Sequence, residues 1–167
     1  NSLLELEYFD VIRFHVVDPM HNLFLGTAKK MFDIWVDRDI LDKVKLQQLE
    51  QQMEEILVPS DFGRLPENIR SNWGGFTACQ WKNWTLVFSP VVLGGLLPRS
   101  HFKVWHTFVM ACRKICSAVI TKQDIEMSHK LFVKFGKQVE DLYGTDVITF
   151  NMHLHGHLSE SLFDYGT

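Results

Sequence analysis

Two stretches of the chain gather side chains that could move protons or hold a metal. In Asp18-Pro19-Met20-His21 an acid and an imidazole stand three residues apart. On the first turn of a helix they would meet, and a carboxylate beside an imidazole can orient a general base or give a divalent cation one ligand. The same residues also read as an ordinary helix start, with Asp18 as N-cap and Pro19 at the first helical position. The second stretch is Asn151-Met152-His153-Leu154-His155-Gly156-His157, with Glu160 beyond it. On a helix His153 and His157 share a face, with Glu160 one turn on; on a strand His153, His155 and His157 would face together. Zinc would take a third or fourth ligand and a supporting shell that the sequence does not identify. A hydrogen-bonding or phosphate-facing histidine cluster is the other reading. Asp18, His21, His153 and His157 together would suit a small metal-dependent hydrolase, although no known motif joins them.

Other reactive groups read as structural. Cys79, Cys112 and Cys116 have no zinc-ribbon spacing and leave an odd thiol, which suits a reducing compartment. Cys112 and Cys116 would share a helix face, where a buried small side chain packs. A formal charge of −3 and a pI near 6.2 argue against a domain that grips nucleic acid over its whole surface. Contact with DNA would be local. The candidates are Arg64 and Arg70 in a loop, and Lys130, Lys134 and Lys137 with Lys122 along one helix face, all of which also read as solvated charges. Trp81 and Trp84 could stack on bases, but their apolar neighbours place them in the core.

These residues depend on a succession of helices. Phe14-His15-Val16-Val17 reads as a short strand or extended lead-in, and a helix runs from Pro19 to about Trp35 with Leu23, Phe24, Ala28, Met31 and Trp35 on its apolar face. A second helix is expected from about Ile40 to Leu57, with Leu46, Leu49, Met53 and Ile56 as its stripe. Val58 to Gly75 is the longest loop candidate. Thr77 and Gln80 form a capping box before a largely apolar helix that Pro90 should kink and Gly94-Gly95 should end. Ser100 is expected to cap a helix reaching Val119. Thr121 and Asp124 open the next, whose seam is Ile125, Ser128, Phe132, Phe135, Val139 and Leu142, and Thr149 caps a last helix through Phe163. The fold class is mainly α. The chain can bury a real core, and no uninterrupted apolar run of about eighteen residues would span a bilayer.

Three blocks in order carry a family resemblance: Asp18-Pro-Met-His21-Asn-Leu-Phe-Leu-Gly26 with Tyr8-Phe9-Asp10 ahead of it; Gly75-Phe-Thr-Ala-Cys-Gln-Trp-Lys-Asn-Trp-Thr85; and Asn151-Met-His-Leu-His-Gly-His-Leu158 leading to Asp164-Tyr165-Gly166. Together they resemble transposases of the CACTA (En/Spm-like) group and proteins derived from them. The resemblance implies a ribonuclease H-like catalytic fold interrupted by a helical insertion. Residues 1–36 would be the strand-to-helix part of the catalytic core, 37–145 the insertion, and 146–167 the return segment. Asp18 and His21 then match a C/D-x-x-H signature that accompanies the acidic triad, and Asn151, His153 and His157 become cleft candidates.

The implied parent activity is metal-dependent DNA cleavage and strand transfer, with Mg²⁺ or Mn²⁺ held by carboxylates, Asp18 among the candidates. The first catalytic Asp is expected before residue 1 and the closing Glu after Thr167. The chain would then be a fragment without a complete triad, inactive alone and with no cofactor of its own evident. Transposon-end DNA is the implied partner, the nucleus or another intracellular compartment the implied location, and a homo-oligomer is compatible with both. A domesticated helical interaction module that keeps the scaffold without the chemistry is the alternative.

Overall fold

A computed structural model describes residues 18–59 and 63–165, so the expected lead-in and Tyr8-Phe9-Asp10 lie outside the described residues. The protein is mainly helical, with no strand among the described residues. Helix α1 starts at the Asp18-Pro19 junction: Pro19 is already helical, and Asn22 N donates to Asp18 O at 3.0 Å. It is π-wound over Met20–Ala28 and continues as α-helix over Lys29–Asp37. The expected apolar face is fully buried at Leu23, Phe24, Ala28, Met31 and Trp35. The π winding itself has no counterpart in a 3.6-residue reading of the sequence. A wider turn aligns residues nearly five apart, so the buried pairs Asn22 and Thr27, and Leu23 and Ala28, fall on one side.

Helix α2, Lys43–Glu54, starts about three residues later than expected because Asp42 is its cap, accepting from Lys45 N at 2.9 Å. Leu46, Leu49 and Met53 are buried and Ile56 is half-buried. The expected loop holds a short helix, α3 (Ile69–Asn72), and a 3-10 turn, Trp73–Gly75. Asn68 enters α3 in the left-handed region, and Ile69 is fully buried, so an apolar anchor orders a stretch that composition alone assigns to loop. Helix α4 opens at Ala78–Asn83 on the expected capping box, is π-wound over Trp84–Phe88, and ends at Ser89–Val92 before Gly94-Gly95. Pro90 is where a kink was expected, and the π-wound stretch lies just before it. Lacking an N–H, Pro90 cannot bond the Leu86 carbonyl four residues back, and Arg113 donates to that oxygen at 2.7 Å instead.

Helix α5, Arg99–Ile115, begins directly after Pro98, without a side-chain cap, so Ser100 lies inside its first turn and is not the cap. It also stops short of Val119, which is 76% exposed. Helix α6, Lys122–Tyr143, starts on the Thr121–Asp124 capping box and buries its expected seam except for half-buried Leu142. The pairs His101–Tyr143, Ala111–Ser128 and Lys114–Asp124 run α5 and α6 antiparallel. Helix α7, Phe150–Tyr165, follows Thr149, whose hydroxyl accepts from Met152 N at 3.3 Å.

The core is held together by rings in contact. Phe32 meets Trp73, Trp81 and Trp84; Trp84 meets Trp105; Trp105 meets Trp35 and Phe108; and Phe108 meets Phe132, Phe135 and His155. Trp81 and Trp84 are fully buried, which makes them core residues. Trp35 Nε1 donates to Tyr143 Oη at 2.9 Å, and that hydroxyl lies 2.7 Å from His101 Nδ1, so the far end of α1 is bonded to the end of α6 and the start of α5.

Candidate functional site

The mouth of α1 is built by Asp18. Its Oδ1 accepts from Met20 N at 2.8 Å, and its Oδ2 is bonded to His21 Nδ1. The bond from His21 leads the causes that hold the Asp18 carboxyl below its usual range; desolvation, next in size, opposes it, and the backbone bonds from Met20 and His21 add to the lowering. Asp18 is therefore the ionised acceptor and His21 Nδ1–H the donor, with Nε2 on the far side of the ring from the carboxylate. Both side chains are open to solvent, 69% exposed for His21 and 54% for Asp18. One carboxylate thus caps the helix and fixes an imidazole with its second nitrogen outward. That arrangement can present a base to a proton, or a nitrogen and an oxygen to a cation.

One turn further in, α1 meets α7. Asn22 Nδ2 donates to the Asn151 backbone oxygen at 3.0 Å, and Thr27 Oγ1 lies 3.0 Å from His155 Nε2. Gly26 lets the two helices approach: a Cβ there would stand 2.1 Å from Asn151 Nδ2. The first and third blocks touch at Asn22 and Asn151, with Thr27 and His155 behind them. His155 is buried among Phe108, Phe132 and Phe135, and burial pushes its pKa down to about 3. Its ring is neutral.

Because α7 is a helix, the alternative in which all three histidines face together does not arise. His153 and His157 are exposed on the side of α7 opposite His155, and the Glu160 side chain lies outside the described residues. Among the described residues no three His, Cys, Asp or Glu side chains are grouped as a metal site would group them. Cys112 is fully buried and Cys116 half-buried, and burial raises both thiols. The nucleic-acid candidates Arg64, Arg70, Lys130, Lys134 and Lys137 are all exposed, and Arg70 is also tied to Glu50, its Nε 3.6 Å from Oε2.

Sequence reasoning missed Asn22, Thr27 and the role of His155. The available signal was that Asn22 and Thr27 are polar residues within the apolar face of α1, where each demands a buried partner. No protein-family model, curated protein or solved structure matches the chain.

Proposed function

We propose that this chain is the helical part of a CACTA-type, DNA transposase-like protein whose parent activity is metal-dependent cleavage and transfer of DNA strands. The observation that supports the reading is the α1–α7 seam, where Asn22 meets Asn151 across 129 positions of sequence. A helical insertion within one ribonuclease H-like catalytic domain has to return to the point where it left. Stacked independent repeats would leave the two ends apart. The seam sets the start of α7, taken in this reading as the return segment, against the helix whose first turn carries the acid and the imidazole.

In this reading Asp18 orients His21 and, as an ionised and exposed carboxylate, fits a hard divalent cation as one oxygen ligand. Bound Mg²⁺ or Mn²⁺ would activate water or a 3′-hydroxyl and stabilise the leaving oxygen. The role of His21 is to hold Nε2 toward solvent and substrate as a proton acceptor. The substrate is DNA, which sets the place of action wherever DNA is held, the nucleus in a eukaryotic cell. The remaining catalytic carboxylates belong to the parent polypeptide.

The test is cleavage of a transposon-end duplex by the parent protein with Mg²⁺ or Mn²⁺ present. Asp18→Ala and His21→Ala should each lower cleavage per folded molecule by at least about tenfold, since positioned acid–base groups typically contribute a hundredfold or more. A parent that binds DNA without cutting it would instead support the domesticated interaction module. Wild-type cleavage in both variants would reduce Asp18 to a cap.

A further inference from the structure

The α5–α6 hairpin, residues 99–143, contains eight Lys and Arg against four Asp and Glu, a net charge of +4 in a chain whose total is −3. Its four carboxylates, Asp124, Glu126, Glu140 and Asp141, all lie toward the ends of α6. Helix α5 has none, and α6 between residues 127 and 139 has none while carrying Lys130, Lys134 and Lys137. Arg99, Phe102, Lys103, His106 and Thr107 from α5 and Lys134 from α6 line a groove of ≈ 560 Å³, with Arg99 at the end of α6 where His101 meets Tyr143 and Lys103 and Lys134 beside the acid-free stretch. Lys114, further along α5, is paired with Asp124 at 2.9 Å. Arg99, Lys103 and Lys134 have no ion pair among the described residues and are exposed. Arg99 and Lys103 stand four apart on one helix, where like charges repel unless an anion lies between them.

We propose that this groove holds the phosphodiester backbone of DNA. Arg99 and Lys103 are separated by about 6 Å along the helix axis, which is comparable to the spacing of neighbouring phosphates on one strand. His106 adds a ring nitrogen one turn on, and Lys134 supplies a cation from the opposite wall. Lys130 and Lys137 lie on α6 outside the groove lining, where they add to the positive field without contacting the strand it holds. Phe102, half-buried with its ring centroid 6.1 Å from that of His106, gives an apolar floor on which a sugar can rest. Thr107 is committed to its own helix, donating to Lys103 O at 3.0 Å, so the cationic side chains do the binding.

The choice of DNA over other polyanions rests on the transposase reading. The probe is a fluorescently labelled 20-base-pair duplex, followed by anisotropy with the full chain between 50 and 200 mM salt. Three cations each neutralising one phosphate give a log–log salt slope of about −2.7, hence roughly a 40-fold loss of affinity over that range. Lys103→Ala/Lys134→Ala should flatten the slope to about −0.9 and cut the loss to about 3-fold. Both lysines are exposed, so the variant should fold, which circular dichroism checks; Lys43→Ala, an exposed cation on α2, should bind as wild type does.

Unchanged slope and affinity in the double variant would overturn the proposal. So would inorganic pyrophosphate binding as tightly as the duplex, which would make the groove a small-anion site. The two readings fail separately. A groove variant that keeps its DNA affinity, while Asp18→Ala abolishes cleavage, removes the groove alone. Binding through the groove with cleavage indifferent to Asp18 removes the catalytic reading alone.

Discussion

Acidification should loosen the α1–α7 seam through His155. The ring is 2% exposed, faces three phenylalanines and contacts the Thr27 hydroxyl, and its pKa of about 3 in the folded chain compares with about 6.5 for an unperturbed histidine. The folded value is the lower of the two. Its contribution is therefore fully present above pH 6.5 and is lost as pH falls from there toward 3, because the unfolded chain takes up the proton first. Below pH 6.5 the loss approaches about 1.4 kcal/mol per pH unit, which makes about 2 kcal/mol between pH 7 and pH 5.

His101, also held below its usual range by desolvation first and Arg38 second, acts in the same direction, so wild type alone would not isolate His155. The comparison is with His155→Gln, which keeps a hydrogen-bonding amide and does not titrate. Urea unfolding at pH 7 and pH 5 should show wild type losing about 2 kcal/mol more than the variant, a relative midpoint shift near 1 M for a typical urea dependence. Equal losses in both proteins would mean that His155 is not the buried neutral ring described above.

Two further substitutions probe the same architecture. Gly26→Ala forces a methyl group onto the Asn151 side chain and should cost about 1–3 kcal/mol in thermal unfolding; an unchanged midpoint would contradict the close approach of α1 and α7. Arg113→Ala should cost about 1 kcal/mol in the wild type by leaving the Leu86 carbonyl without its donor, and less in a Pro90→Ala background, where a backbone N–H can take over; equal costs in the two backgrounds would break the link between Pro90 and Arg113.

Helix starts were legible where a local side chain closes a backbone bond. The Thr77–Gln80 and Thr121–Asp124 boxes and the Asp18-Pro19 junction depend on residues within a single turn. The face of α1 was legible too, because Leu23, Ala28, Met31 and Trp35 keep to one side under either winding. What the sequence concealed depends on distant partners. The order of Ile69–Gly75 comes from an isoleucine buried against other elements, and the start of α5 one residue before Ser100 follows from Pro98 fixing its own backbone. The π-wound entry of α1 turns Asn22 and Thr27 toward α7, and only the presence of α7 gives those polar groups partners. For the same reason the site was half legible. Asp18 and His21 are local and Asn151 was a candidate, but His155 shows its role only once the winding of α7 separates it from His153 and His157.

The most direct test of the catalytic role proposed for the α1 mouth is Asp18→Asn in the proposed parent protein, with stability and DNA cleavage measured on the same preparation. Asparagine caps a helix about as well as aspartate does, so stability should stay within about 0.5 kcal/mol of wild type. It lacks the charge that orients His21 and offers an oxygen to a divalent cation, so cleavage per folded molecule should fall by about tenfold or more. Wild-type cleavage by a stable Asp18→Asn protein would contradict the account and leave Asp18 as a helix cap.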